Sequence, residues 1–237
     1  MKIIDLKGNG RLRTERGRTE LDVPHLGKTL TYVLPLIGPT YHQNAMFKID
    51  SQNLYRPTTA HVISLVDVAL QNLNDPHCAD IYDKFRTRYL WTGTEITFFS
   101  EGIFVYDDID GKMPNNSKLL IKLFNTKDKR VRLVSPGFKT GFMPVSKFLE
   151  HPYVIAQVGE EMIETTERVA RARDKKIAHM PEIKNKSDYE TTPGNFDIWR
   201  ETAVNLDWGG RFNLNCFSIF NGEGYAFGKM IGLADKK

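Results

Sequence analysis

The spacing of apolar residues predicts two consecutive helices in the first half of the chain. Between Pro57 and Asn74, apolar side chains recur every three or four residues, which is the period of one helix face. They are Val62, Leu65, Val66, Ala69, Leu70 and Leu73. Pro57 suits a first helical turn, where its missing N–H leaves no partner unsatisfied. A second helix, over 76–89, places Ile81, Phe85 and Tyr89 on one stripe.

The first of these helices carries polar residues beside its apolar face. Val62, Val66, Ala69 and Leu73 are expected to face a sheet, because their spacing keeps them on one side of the helix. His61, Ser64 and Asp67 lie on the neighbouring stripe. We therefore expect these three side chains to reach water or a surface partner.

A third amphipathic helix is predicted to open at Gly159 and run to about Arg173. Glutamates stand at its N-terminal end and arginines at its C-terminal end, the arrangement that complements the helix dipole. Glu164–Arg168 and Glu167–Arg171 are favourable pairs four residues apart.

Alternating or β-branched runs predict strands through the rest of the chain. The predicted strands are Thr29–Leu36, Ala45–Ile49, Thr94–Phe99, Ile103–Tyr106 and Val131–Val134, with Phe212–Phe220 and Tyr225–Ile231 as a closing hairpin. Two runs, 118–124 and 153–158, fit a helix or a strand equally well. Residues 181–197 read as a polar connection. The pattern predicts an α+β fold in which a mostly antiparallel sheet packs against two or more helices.

Residues 1–20 differ from the rest of the chain. The segment 7–20 is polar, contains three glycines and shows no apolar period. It is predicted to form a basic, mobile arm or an exposed hairpin, followed by a single domain over 21–237.

Length and composition narrow the protein class. A chain of 237 residues fits one large domain or two small ones. No stretch approaches the roughly 20 apolar residues needed to span a bilayer, and the N-terminal residues lack the apolar core of an export signal. We therefore expect a soluble cytoplasmic protein with no membrane partner. Cys78 and Cys216 are then expected to be reduced thiols, since a disulfide would require the fold to bring them together.

Three short runs carry a resemblance to other proteins. They are Leu54-Tyr55-Arg56-Pro57-Thr58-Thr59, Val134-Ser135-Pro136-Gly137-Phe138-Lys139-Thr140-Gly141, and Pro152-Tyr153-Val154-Ile155-Ala156 followed by Gly159-Glu160-Glu161. Over residues 54–172 the chain resembles uncharacterised archaeal proteins with no assigned activity. The resemblance implies a cytoplasmic origin and carries over no functional residue.

Charge is distributed unevenly along the chain. Residues 112–147 contain nine Lys and Arg against one Asp, a local net charge of +8, whereas the whole chain carries +4. Such an excess attracts polyanions, and the interleaved Phe124, Phe138 and Phe142 suggest faces on which bases stack. The predicted nucleic-acid-binding residues are Lys122, Lys127, Lys129, Arg130, Arg132 and Lys139.

A carboxylate cluster offers an alternative chemistry. Asp107, Asp108 and Asp110 precede Gly111, but aligning that glycine with a calcium loop puts Tyr106 and Ser117 where the terminal ligands belong. A tight turn explains the cluster better. Because Mg²⁺ often uses only one or two carboxylates, a magnesium-assisted hydrolase remains an alternative.

Two other motifs are rejected. His61, Ser64 and Asp67 lie in an order that puts Ser between His and Asp, whereas a catalytic triad needs His in the middle. The segment from Gly222 to Lys229 has the spacing G-x-G-x-x-x-G and no Ser or Thr after its lysine, so it matches no phosphate-binding loop.

Three functions follow from these patterns, in order of preference. The first is a non-catalytic binding protein for nucleic acid or another phosphate-rich partner. The second is the magnesium-assisted hydrolase, and the third is a structural or protein-interaction factor. Nothing in the sequence indicates the oligomeric state.

Overall fold

A computed structural model describes residues 1–99, 102–114, 116–135, 141–172, 176–180, 198–206, 210–217 and 223–230. Within these ranges the strands are β1 (Lys2–Asp5), β2 (Arg11–Glu15), β3 (Arg18–His25), β4 (Lys28–Thr40), β5 (Tyr89–Phe99), β6 (Gly102–Asp107), β7 (Val131–Val134), β8 (Gly141–Pro144), β9 (Ile177–Met180), β10 (Ile198–Leu206), β11 (Phe212–Phe217) and β12 (Gly224–Lys229). The α-helices are α1 (His42–Ser51), α2 (Thr59–Gln71), α3 (Pro76–Thr87), α4 (Ser117–Asn125), α5 (Val145–Leu149), α6 (Pro152–Val158) and α7 (Ile163–Ala170).

One sheet joins all these strands, in the order β1-β2-β3-β4-β12-β5-β10-β11-β9-β8. β6 branches from β5 and pairs in turn with β7. Parallel pairing occurs between β12 and β5 and between β11 and β9, and the remaining pairs are antiparallel. The fold is thus α+β and dominated by a largely antiparallel sheet, as the sequence pattern predicted.

Helix α2 lies at the centre of the main core. Its Thr58 N-cap forms a capping box: the Thr58 hydroxyl accepts the His61 N–H, and His61 Nδ1 accepts the Thr58 N–H. The residues from Val62 to Ala69 are all buried, because α2 packs against α3, α6, α7 and three strands. A helix enclosed in this way is apolar on most of its circumference.

Three predicted helices are confirmed with small shifts. α2 begins at Thr59 rather than Pro57, since Thr58 is the capping residue. α3 begins at Pro76 as predicted but ends at Thr87, and Tyr89, predicted to lie on its apolar stripe, begins strand β5 instead. After Gly159 a 3-10 turn over Glu160–Met162 precedes α7, which ends at Ala170. The Glu164–Arg168 and Glu167–Arg171 pairs form at 3.1 and 2.7 Å. Strand β7 has its predicted bounds, and β6 is one residue longer at each end than predicted. β5 ends at Phe99 as predicted but begins at Tyr89 rather than Thr94.

The assignment of polar and apolar faces on α2 was partly wrong. Val62, Val66 and Ala69 are fully buried as expected, but Leu73 lies beyond the end of the helix and is 44% exposed. Ser64 and Asp67 are buried rather than solvated. The reason is that α7 covers the polar stripe of α2. The spacing of residues within α2 shows which side chains share a face but does not show that a second helix covers that face.

Several other predictions need correction. Residues 45–49 lie in helix α1, where Ala45, Met46 and Ile49 are buried and Phe47 is exposed. The two ambiguous runs, 118–124 and 153–158, are both helical, in α4 and α6. In their described parts the last two strands form no closing hairpin with each other, because β11 pairs with β10 and β9 whereas β12 pairs with β4 and β5.

The N-terminal segment belongs to the sheet. β1 pairs with β2, and β2 with β3, in continuous antiparallel registers. A hairpin therefore describes residues 1–20 better than a mobile arm. The predicted polar connection at 181–197 lies outside the described residues.

Cys78 is a free thiol, fully buried in α3, and burial raises its pKa to about 12. No helix in the described ranges has both the length and the apolar character needed to cross a membrane.

Candidate nucleic-acid interface

Helix α4 is covered by the protein on one narrow side only. Its N-cap is Asn116, whose side chain accepts the Leu119 N–H at 3.0 Å. Leu120 is the helix residue that is fully buried, in a small cluster with Phe104, Tyr106 and Val131. The helix thus rests on strands β6 and β7 and leaves most of its circumference to solvent.

Large apolar side chains are exposed on and beside α4. Leu119 is 48% exposed and Phe124 is 40% exposed, and Leu133 on the neighbouring strand β7 is 41% exposed. The Phe124 ring lies 6.1 Å from the ring of Phe104, which stacks in turn on Phe99 at 4.6 Å. Phe124 is therefore a partly exposed ring supported from below by other aromatic rings.

Four lysines lie on α4 and in the connection that follows it. Lys118 and Lys122 project from α4, and Lys127 and Lys129 follow in the connection to β7. All four are exposed, and none forms an ion pair with any residue that the structure describes. The term α4 surface is used below for Lys118, Leu119, Lys122, Phe124, Lys127, Lys129 and Leu133.

The two predicted arginines are neutralised by carboxylates. Arg130 makes bonds of 2.9 Å from its backbone and 2.8 Å from Nη2 to Asp128, and it lowers the pKa of that carboxyl group. Arg132 binds Asp107 through two nitrogens and donates from Nε to the Ala156 carbonyl at 2.7 Å. Both arginines hold the local structure together, so the positive charge available to a partner comes from the lysines.

The remaining predicted interface residues do not extend this surface. Lys139 and Phe138 lie outside the described residues. Phe142 lies on β8, at the end of the path β5-β10-β11-β9-β8, whereas β7 lies on the separate branch β5-β6-β7. The Phe142 ring lies 4.1 Å from the guanidinium of Arg211. Of the three interleaved phenylalanines, Phe124 is the one described beside the lysines.

A groove of about 840 Å³ adjoins the α4 surface, between β7 and α6. Lys129 and Leu133 line it on one side, and Glu160 and Glu161 line it on the other. Since these glutamates repel phosphate groups, we expect a nucleic-acid backbone to follow α4 rather than the groove.

Asp107, Asp108 and Asp110, the candidate magnesium ligands, each pair with a different basic residue. Asp107 is paired with Arg132 and accepts from the Thr94 hydroxyl at 2.7 Å. Asp108 is paired with Arg56 and accepts the Met113 N–H at 3.0 Å. Asp110 lies 3.5 Å from Lys112. Among the described residues no group of three or more His, Cys, Asp or Glu is placed to hold a metal ion, because arginine cations occupy the carboxylates of the first two.

The polar residues of α2 separate into two clusters. Asp67 is bound by Arg168 through both carboxylate oxygens, at 3.2 and 2.9 Å. Ser64 makes a 2.8 Å hydrogen bond with Nδ1 of His25, whose ring contacts His61 edge to face at 4.8 Å. The triad order rejected from the sequence is therefore absent. No sequence pattern pointed to His25, because 39 residues separate it from Ser64.

Comparison with known proteins gives a likeness of fold. No family model matches the chain, and no curated protein matches it. A solved structure from Nanoarchaeota, described as showing the accommodation of massive sequence variation by the C-type lectin fold, superposes with a TM-score of 0.51 at 11% sequence identity. The match covers 81% of this chain and 94% of that chain. At this identity the likeness concerns the sheet-dominated α+β fold alone. The resemblance of residues 54–172 to archaeal proteins of unassigned activity stays a prediction.

Proposed function

We propose that the chain is a binding protein for single-stranded nucleic acid, which it contacts through the α4 surface. The observation that carries the proposal is that four exposed lysines, without an ion pair among the described residues, lie on and directly after the helix that carries the partly exposed ring of Phe124. Lysines neutralise phosphates and release counterions, and an aromatic face stacks on an unpaired base. The role proposed for the α4 surface is binding without catalysis.

The fold is compatible with this role but does not select it. In the distant neighbour the C-type lectin fold accommodates massive sequence variation, and such a scaffold can carry different surface sites. Function must therefore be argued from the surface itself. An apolar surface alone would fit a protein partner equally well, and the four lysines are what favour a polyanion.

Binding of a fluorescently labelled single-stranded oligonucleotide, measured by anisotropy at several salt concentrations, tests the proposal. The logarithm of the affinity should fall linearly with the logarithm of salt concentration. A variant with Lys118, Lys122, Lys127 and Lys129 replaced by Gln should lose about 3 units of slope, taking about 0.7 per phosphate contact. The control removes the same charge from exposed lysines elsewhere: Lys2, Lys7, Lys48 and Lys176.

A second pair of variants separates stacking from charge. Phe124→Leu keeps an apolar side chain over Phe104 but removes the ring face, and should weaken binding by about 5- to 100-fold without changing the salt slope. Phe142→Leu is the matched control and should bind like the wild type. Absence of binding at about 50 mM salt, or equal slopes for the two lysine variants, contradicts the proposal. Binding to anionic phospholipid vesicles with none to the oligonucleotide would point to a membrane surface instead.

A further inference from the structure

The partly buried contact between Ser64 and His25 opens onto a second cavity. Ser64 Oγ lies 2.8 Å from His25 Nδ1, and both residues line a cavity of about 930 Å³. Ser64 comes from the middle of α2, whereas His25 ends strand β3. A serine hydroxyl at hydrogen-bonding distance from an imidazole nitrogen is the pairing that activates a nucleophile.

The His25 imidazole is neutral and able to accept a proton, and the burial that keeps it neutral also makes it a weak base. Burial, aided by the positive charges of Lys229 and Lys28, lowers the pKa of His25 to about 4, so the ring is neutral at neutral pH. Burial likewise lowers the pKa of His61, the ring that packs edge to face against His25. His61 Nδ1 accepts the Thr58 N–H, which fixes that ring and makes His61 a positioning residue.

The turn next to His25 supplies hydrogen-bond donors. Leu26 and Gly27 connect β3 to β4 with φ values of 47° and 75°, and both line the same cavity. Within the described part of the chain, neither backbone N–H donates a hydrogen bond. Amides without a partner that line the same cavity as the serine are donors available to a developing oxyanion. The left-handed conformation of Leu26 is a strained one, and such strain occurs at functional sites.

The surroundings of Ser64 limit the substrate. The residue is only 4% exposed, and its hydroxyl lies 3.9 Å from the sulfur of Met162. A small acyl group is therefore favoured at the hydroxyl, whereas the larger alcohol part of a substrate can occupy the open cavity. Asp67 takes no part, because Arg168 holds both of its carboxylate oxygens.

We propose that this cavity is an acyl-transfer site for carboxylic esters of small acids, with Ser64 as the nucleophile and His25 as the base. Ser64 Oγ bonds to the ester carbon while its proton passes to His25 Nδ1, and the carbonyl electron pair moves to oxygen, where the Leu26 and Gly27 amides hold it. The intermediate collapses, the bond to the alcohol oxygen breaks, and the alcohol leaves with the proton from His25. Water then repeats the sequence on the acylated serine and releases the carboxylic acid.

Acylation of the full chain by p-nitrophenyl acetate tests this proposal, with the modified residue located by mass spectrometry. Ser64 is expected to carry the acetyl group. Ser64→Ala should abolish that label, and His25→Asn should slow acylation at least about 100-fold, since the amide keeps a hydrogen bond but accepts no proton. Ser146→Ala, a change in an exposed serine of α5, is the control and should react like the wild type.

Two further measurements separate catalysis from a structural role. From about pH 6 to about pH 8 the acylation rate should be flat, because His25 is already neutral there. p-Nitrophenyl octanoate should acylate Ser64 more slowly than the acetate. An unmodified Ser64 in folded wild-type protein, or an unchanged rate in His25→Asn, overturns the proposal. If Ser64→Ala does not fold, the wild-type label and the His25→Asn rate still decide.

Discussion

Acidification is expected to destabilise the fold through two partly buried histidines, His25 at the end of β3 and His61 in the first turn of α2. Burial lowers the pKa of His25 from 6.5 to about 4, with Lys229 and Lys28 adding to the effect. In the unfolded chain the same imidazole titrates near its ordinary value. Between these two values the unfolded state binds more protons than the folded state, so stability is full above about pH 6.5 and is lost as the pH falls towards 4.

The size of the effect follows from the pKa difference. Between pH 7 and pH 5, His25 alone should reduce the free energy of unfolding by up to about 2 kcal/mol. Solvent screening of this partly exposed ring makes the reduction smaller. His61 contributes with the same sign, because burial and the charge of Lys229 lower its pKa well below the ordinary value. Asp and Glu side chains ordinarily have pKa values near 4. Their protonation therefore contributes little to the stability change between pH 7 and about pH 5.

Equilibrium urea unfolding at half-unit pH intervals measures this loss directly. The wild type should lose stability steadily from about pH 6.5 downwards. The double variant His25→Gln, His61→Gln starts less stable but should show a nearly flat profile down to pH 5. Wild-type stability that stays constant between pH 7 and pH 5, or a variant profile as steep as the wild type, would refute the burial of neutral imidazoles at this position.

Three further changes test the local packing by urea unfolding. Leu26→Asn should stabilise the protein by about 1 kcal/mol, because Asn tolerates the left-handed conformation better; a loss of stability contradicts the turn geometry. Gly224→Ala should cost about 2 kcal/mol by overpacking, since the new Cβ would lie 2.6 Å from the Tyr89 carbonyl oxygen; a neutral result contradicts the β12–β5 pairing. Asp67→Asn should cost about 1 kcal/mol by weakening its bidentate pair with half-exposed Arg168, and Arg168→Gln in the Asn variant should add little.

The sequence predicted those elements whose evidence is local. Apolar spacing placed α2 and α3, charge pairing placed the helix after Gly159, and turn residues separated β5 from β6. It failed where partner choice is long-range. β12 was assigned to a hairpin with its chain neighbour, but it pairs with β4 and β5, and such pairing depends on the assembled sheet rather than on the sequence of the strand.

The candidate sites show the same division. The lysines and Phe124 could be picked out from the sequence, because a charge run lies on neighbouring residues, and their role in binding stays a prediction. The sequence does not reveal the ion pair between Arg132 and Asp107, which lie 25 residues apart. Because of this pair, Arg132 is not available to bind a phosphate and Asp107 is not available to bind a metal ion. The contact between His25 and Ser64 spans 39 residues. Only the fold brings such residues together.

The position of nucleic acid on the folded protein is the most direct test of the account. Amide chemical shifts of isotopically labelled protein, followed by NMR as a single-stranded oligonucleotide is added, report which residues it contacts. The changes should cluster on Lys118, Lys122, Phe124, Lys127 and Lys129, and should disappear when salt is raised. Changes confined to other surfaces, or none at any oligonucleotide concentration, would contradict the assignment of the α4 surface as a nucleic-acid interface.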